Sequence, residues 1–78
     1  KPGVSDYCLP AARGGWFGLY LELKPTDGGR LNAKQRSFLD AVRDEGYRAE
    51  MCRGWIAARS LILDYLRRPK TRAVPVDA

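Results

Sequence analysis

The chain contains the segment Gly18-Leu19-Tyr20-Leu21-Glu22-Leu23-Lys24-Pro25. Its leucines alternate with Tyr20, Glu22 and Lys24, which is the period of two expected of a β-strand whose successive side chains point to opposite faces. We therefore predict a strand that buries its leucines and presents Glu22 and Lys24 together on the other face. Taken alone, a Glu-x-Lys pattern is more often only a solvated strand face with an ion pair, so the interpretation depends on the rest of the chain.

The composition is that of one small basic domain. With 78 residues, 45% of them apolar, the chain is long enough for a single core. We expect so small a core to need help from dimerisation or from further sequence. The net charge is +5, and most of the 14 basic residues are arginines. Because the planar guanidinium of arginine pairs well with phosphate, nucleic acid is the first partner to consider.

The sequence has no histidine, which removes several kinds of chemistry. Ser–His catalysis, Cys–His catalysis and His-ligated zinc all need an imidazole, so any catalysis must use carboxylates, lysine and a metal ion. Cys8 and Cys52 lie far apart, and we expect buried thiols of a reducing cytoplasm rather than a disulfide. No apolar run approaches the ~20 residues of a membrane span and no signal peptide is recognisable, so we expect a cytoplasmic protein without membrane contact.

The remaining pattern predicts a small mixed α/β domain. Val4 to Leu9 and Trp16 to Lys24 indicate two strands separated by a glycine-containing loop, and therefore an antiparallel hairpin. This pairing would bring Asp6 beside Glu22. Tyr47 to Cys52 indicate a third strand, and the helix before it is long enough for a crossover that makes strands two and three parallel.

Two helices complete the prediction. The first begins at Asn32, carries Gln35 in a capping-box position and ends near Glu45, before Gly46. The second runs from Trp55 to about Arg68. The inward-facing stripes that we predict are Phe38, Leu39 and Val42 in the first helix, and Ala57, Leu61 and Tyr65 in the second. We predict a domain over residues 1–68 and a tail over 69–78 that is disordered or docks on a partner.

Gln35 has two open interpretations. Its amide either only caps the helix or reaches the site built by Glu22 and Lys24. We expect one amide not to do both at once.

The order of these elements resembles the virus-type replication-repair nucleases, the VRR-NUC branch of the PD-(D/E)xK superfamily. The resemblance covers Gly3 to about Leu66 and rests on four segments in order: Gly3-Val-Ser-Asp6, Gly18-Leu-Tyr-Leu-Glu-Leu-Lys24, Leu31-Asn-Ala-Lys-Gln35 and Gly46-Tyr-Arg-Ala-Glu-Met-Cys-Arg53. It implies a restriction-endonuclease-like core and metal-dependent cleavage of DNA phosphodiester bonds.

The resemblance also implies roles for particular residues. It matches Asp6 to the first acid of the motif, Glu22 to the second, Lys24 to the lysine, and Gln35 to a glutamine on the following helix. It implies Mg²⁺ or Mn²⁺ held by Asp6, Glu22 and the backbone carbonyl of Leu23.

The sequence departs from the family pattern in two places. Ser5 stands where the family has proline before the first acid. Family members also carry an upstream helix with a further acidic residue, which we expect to be missing because the sequence begins just before Asp6. Either the chain is a fragment or the protein does without that helix.

Five basic residues are candidate DNA contacts, and for each of them solvated charge is an equally good interpretation. They are Arg30, Lys34 and Arg36 near the first helix N-terminus, with Arg13 and Arg53 as weaker candidates. We expect Trp16 and Trp55 to be packing or interface residues. The resemblance implies branched DNA, either four-way junctions or flaps, a homodimer, and a bacterial or phage-infected cell.

Two other functions stay open. One is a non-catalytic nucleic-acid-binding module with the same fold. The other is a domain whose arginine-rich face binds an acidic protein.

Overall fold

The computed structural model describes residues 6–72. Within that range it contains three strands and two helices: β1 (Tyr7–Leu9), β2 (Leu19–Lys24), α1 (Ala33–Asp44), β3 (Arg48–Arg53) and α2 (Trp55–Arg67). The predicted order of hairpin, helix, strand and helix is confirmed. The predicted start of the first strand at Val4 and the end of the predicted tail, 73–78, lie outside the described residues.

The sheet has β2 at its centre. Its order is β1-β2-β3, with β1 antiparallel and β3 parallel to β2, as the hairpin and crossover predictions required. Tyr7 lies opposite Leu21 in the first pair, and Lys24 lies opposite Arg53 in the second. The carboxyl ends of β2 and β3 therefore meet at one end of the sheet, which we call the acid end.

The two helices cover opposite faces of the sheet. On one face, the α1 residue Phe38 packs edge-on against Tyr20 with ring centroids 5.4 Å apart. On the other, Ile62 of α2 lines an apolar groove of about 210 Å³ together with Leu19 and Leu21. The face that carries Glu22 is therefore not solvated, because α1 lies over it.

Helix α1 begins and ends at the predicted signals. The Asn32 side chain accepts a hydrogen bond from the backbone N–H of Gln35 at 2.7 Å. The Gln35 side chain accepts one from the backbone N–H of Asn32 at 3.0 Å, which completes the capping box. Gly46 beyond the helix end has a φ of 98°, and a Cβ there would meet the Phe17 ring at 2.5 Å. Position 46 therefore needs glycine, because a side chain would be strained at this φ and would collide with Phe17.

The prediction that Ala57 of α2 faces the core was wrong. Ala58 and Tyr65 are buried, whereas Ala57 is exposed and Leu61 is half-buried. The first turn of α2 is apolar nearly all round, so the sequence pattern did not determine which side faces the sheet. The apolar residues that are buried within residues 6–72 are Leu19, Leu21, Leu39, Ala49, Ala58 and Tyr65.

The two thiols are less protected than predicted. Cys8 is exposed and Cys52 is half-buried, and both are free cysteines. The expectation of a buried Cys8 was wrong because β1 is a short edge strand. Neither helix within residues 6–72 is long and apolar enough to cross a bilayer.

The segment after α2 is held against the loop between β1 and β2. The Gly14 amide donates to the Pro69 carbonyl at 2.8 Å, and the Thr71 amide donates to the Ala12 carbonyl at 3.2 Å. Pro69 to Thr71, which we assigned to a tail, thus pack on the domain.

Candidate active site

Glu22, Lys24 and Gln35 form one hydrogen-bonded cluster at the acid end. The Gln35 Nε2 donates to Glu22 Oε2 at 2.9 Å, and Lys24 Nζ donates to Gln35 Oε1 at 3.2 Å. Lys24 Nζ also lies 3.6 Å from Glu22 Oε2. Alternation along β2 puts both charged residues on the face that α1 covers, and the capping box places Gln35 in the first turn of α1, directly over them.

Gln35 serves both roles between which the sequence left a choice. Its Oε1 has two lone pairs and accepts from both the Asn32 amide and Lys24 Nζ, while its Nε2 remains free to donate to Glu22. The expectation that one amide cannot do both was therefore wrong. The reverse orientation of the amide would turn its oxygen toward a carboxylate, so the chemistry of the neighbours determines this orientation.

Asp6 lies beside this cluster. Its Oδ2 accepts a hydrogen bond from the Leu23 amide at 2.9 Å. Since Tyr7 is opposite Leu21, extending the register by one residue brings Asp6 level with Glu22 and onto the same face. The side chain is exposed, in contrast to that of Glu22.

Glu22 is a buried carboxylate with an unsatisfied oxygen. The residue is 2% exposed, and its Oε1 has no hydrogen-bond partner within the part of the chain that the structure describes. Burial raises the pKa of Glu22, the negative charge of Asp6 raises it further, and the Lys24 ammonium opposes both effects. Leaving a buried acceptor unpaired costs about 1–3 kcal/mol, so this oxygen is a strong candidate for ligand binding.

The donor set suits a hard divalent cation. Two carboxylates face each other from neighbouring strands, and carboxylate oxygens are the protein ligands that Mg²⁺ prefers. The unpaired Oε1 of Glu22 is the observation that the fit depends on. Within residues 6–72 there is no group of three or more Asp, Glu, Cys or His side chains that could hold a metal. Any further ligands would have to be backbone carbonyls or water.

Three of the predicted basic contacts lie at the acid end. Arg30 precedes the N-cap of α1 by two residues, and Lys34 and Arg36 flank Gln35 in the first turn. All three are exposed. Because α1 begins near the end of β2, these cations lie at the same end of the domain as Glu22 and Lys24, at a helix end that itself favours anions.

Arg53 and Arg13 are placed differently. The Arg53 guanidinium donates to the backbone carbonyls of Gly28, Gly29 at 2.7 Å and Pro25 at 3.5 Å. It therefore holds the loop that follows Lys24. Arg13 lies at the opposite end of the sheet, where its backbone pairs with Lys70.

The loop-holding role of Arg53 escaped the sequence reasoning. The available signal was the Asp27-Gly28-Gly29 loop, in which the glycines have no side chains with which to fix their own conformation. Trp16 packs on Tyr65 with centroids 6.1 Å apart, in line with a packing role, while Trp55 is 59% exposed.

Comparison with known proteins identifies the family of the chain. A family model for the VRR-NUC domain matches residues 1–55. A solved structure described as a VRR_NUC domain protein aligns with a TM-score of 0.85 and 27% sequence identity, over 90% of this chain and 57% of that one. This chain thus spans little more than half the length of that similar protein. No curated protein matches the chain.

The family model and the solved structure agree on the class of domain. Since the matching model covers well over half of the sequence, the chain belongs to the VRR-NUC domain family. The predicted family and the predicted α/β fold are confirmed. Membership places the chain in a family that is named for a nuclease domain.

Proposed function

We propose that this chain is a Mg²⁺- or Mn²⁺-dependent endonuclease that hydrolyses phosphodiester bonds of branched DNA, such as four-way junctions or flaps. The observation that carries the proposal is the cluster of Glu22, Lys24 and Gln35 beside Asp6, in which Glu22 Oε1 is buried and unpaired. A buried carboxylate oxygen without a partner in the described residues is a place where a bound ion or water would fit.

In this proposal Asp6, Glu22 and the backbone carbonyl of Leu23 hold the metal ion. When bound, such an ion polarises a phosphate oxygen and lowers the pKa of a bound water. The exposed Asp6 faces the side from which DNA approaches, and the buried Glu22 anchors the site on the central strand.

Lys24 acts on the reacting phosphate, and Gln35 holds Lys24 and Glu22 in position. The Lys24 side chain is 18% accessible, and in this proposal its ammonium donates to the attacking water and to the developing negative charge. Gln35 keeps Lys24 and Glu22 at their present separation by bonding to both. Arg30, Lys34 and Arg36 bind phosphates on either side of the scissile bond.

The proposal includes a homodimer. Few apolar residues are buried within residues 6–72, whereas Phe17, Trp55 and Ile56 are 58%, 59% and 82% exposed. Two copies would also provide two active sites for paired cuts in a junction. Light scattering on a sizing column should give twice the chain mass, and a monomer at micromolar concentration would contradict this part.

Cleavage of labelled DNA tests the activity. A four-way junction, a flap and a plain duplex are each incubated with Mg²⁺, Mn²⁺ or EDTA. We expect cutting of the branched substrates only with metal, and a loss of about 10²–10³ in rate for Lys24→Ala, because the variant lacks a donor to the transition-state charge. Arg59→Ala, which removes an exposed arginine from α2, should cut normally. Cutting in EDTA, or full activity of Lys24→Ala, would overturn the mechanism.

A non-catalytic DNA-binding module is the second candidate. It is favoured by one observation, that the described residues provide no cluster of three metal-ligating side chains. In that case the same experiment would show salt-sensitive binding of DNA without cutting at any metal concentration.

A further inference from the structure

A second cationic site lies at the end of the sheet opposite Glu22. It is a pocket of about 520 Å³, and the residues that line it include Gly14, Gly15, Arg68, Lys70, Thr71 and Arg72. None of the residues described in its lining is acidic. The pocket has no part in the proposed cleavage chemistry.

Hydrogen bonds hold the backbone of this pocket in place. Thr71 Oγ1 accepts from the Gly15 amide at 3.1 Å and donates to the Trp16 carbonyl at 2.5 Å. The Gly14 amide donates to the Pro69 carbonyl at 2.8 Å. Lys70, which lies between Pro69 and Thr71, is therefore presented from a fixed backbone.

Stabilisation of α2 does not explain the positive charges of Lys70 and Arg72. Arg67 and Arg68 lie at the carboxyl end of α2, where cations offset the helix dipole, and Arg68 also pairs with Asp64 at 3.2 Å. Lys70 and Arg72 lie beyond the helix end and beyond Pro69. Neither forms an ion pair within the described residues. Both side chains are exposed, so a polyanion can reach them.

The position of the pocket excludes a direct role at the scissile bond. β2 runs from this end to the acid end, and its six residues span about 17 Å. Helix α2 starts near Arg53 at the acid end and its 13 residues return about 20 Å. A duplex that touched both ends would extend over roughly five or six base pairs.

We propose that this pocket binds the phosphate backbone of the DNA at a distance from the bond that is cut. The inference rests on the proposed function for the identity of the anion. DNA fits this pocket because Arg68, Lys70 and Arg72, which line it, are exposed to a polyanion and have no acidic neighbour among the described lining residues.

Salt dependence of DNA binding tests this proposal. Affinities of Lys70→Gln and Arg72→Gln for a labelled 20-base-pair duplex and a four-way junction are measured in EDTA between about 50 and 200 mM salt. Each variant should make the negative slope of log affinity against log salt shallower by about 0.9, the value for one lost phosphate contact. Arg59→Gln removes the same charge from the first half of α2 and should leave the slope unchanged.

The outcomes separate this proposal from the nuclease itself. Slopes of Lys70→Gln and Arg72→Gln equal to that of Arg59→Gln would overturn the pocket, even if the wild type cuts DNA with Mg²⁺. Shallower slopes for Lys70→Gln and Arg72→Gln in a chain that never cuts would support the pocket and overturn the nuclease. Binding of an acidic peptide but of no DNA at low salt would overturn both.

Discussion

Gln35 Nε2 donates a hydrogen bond to Glu22 Oε2 at 2.9 Å and so joins the first turn of α1 to the central strand. Glu22 is only 2% exposed at this point. The contact brings the helix cap, the buried acid and, through Gln35 Oε1, the Lys24 ammonium into one unit. A change in any member should therefore alter both the stability of the domain and the proposed site.

Gln35→Ala should lower the free energy of unfolding by about 1–3 kcal/mol. The variant removes half of the capping box and leaves Glu22 Oε2 without its amide donor in a buried place. Urea unfolding followed by tryptophan fluorescence measures the change. Ser37→Ala, an exposed substitution in the same helix, should shift stability by no more than about 0.5 kcal/mol. Equal stabilities for the two variants would refute the coupling.

Glu22→Gln should remove a pH-dependent cost of folding. The raised pKa of Glu22 means that the folded chain holds this proton more tightly than the unfolded chain, whose pKa is near the ordinary 4.5. Its contribution to stability is therefore full below that value and is lost as pH rises through the folded pKa. In EDTA, wild type should lose stability relative to Glu22→Gln over this window.

The control for this measurement is Glu45→Gln, which removes an exposed carboxylate and changes net charge equally. A stability difference between wild type and Glu22→Gln that stays flat with pH would show that Glu22 is not perturbed.

Arg53→Ala should loosen the loop from Pro25 to Arg30. The guanidinium is bonded to several carbonyls of that loop, and the glycines there cannot hold their own conformation. Limited trypsin digestion with mass spectrometry should detect cleavage after Arg30 several-fold faster than in wild type. Arg59→Ala should leave that rate unchanged. A similar rate in both variants would show that the Arg53 side chain does not hold the loop.

Tyr65→Phe should cost about 1–2 kcal/mol of stability. The hydroxyl of this fully buried residue donates to the Ala11 carbonyl at 2.6 Å, and its removal leaves that carbonyl unpaired. Urea unfolding measures the loss. Tyr7→Phe removes the hydroxyl of a tyrosine that is 54% exposed and should be nearly neutral. A neutral Tyr65→Phe would mean that the loop is not held by this bond.

Much of the fold could be predicted because its signals are local. Alternation in Leu19 to Lys24 indicated the central strand, and the Asn32 and Gln35 pair marked the start of α1 within one residue of its observed place. These patterns depend on the geometry of the backbone alone. The phase of α2 was missed because its first turn has apolar residues on every side, so that only contact with the sheet selects Ala58 over Ala57.

The sequence by itself determined which chemical groups the domain has: two acids, a lysine and a glutamine in a set order, with no histidine among its residues. It also determined that Glu22 and Lys24 share a face, because the strand period is two. Only the tertiary structure decided that this face lies under α1, that Glu22 is buried with one oxygen unpaired, and that Gln35 bonds to both charged partners. The physical reason is that burial and hydrogen bonding depend on how helix and sheet pack. Residues as far apart in sequence as Asp6, Glu22 and Gln35 meet only when that packing is complete.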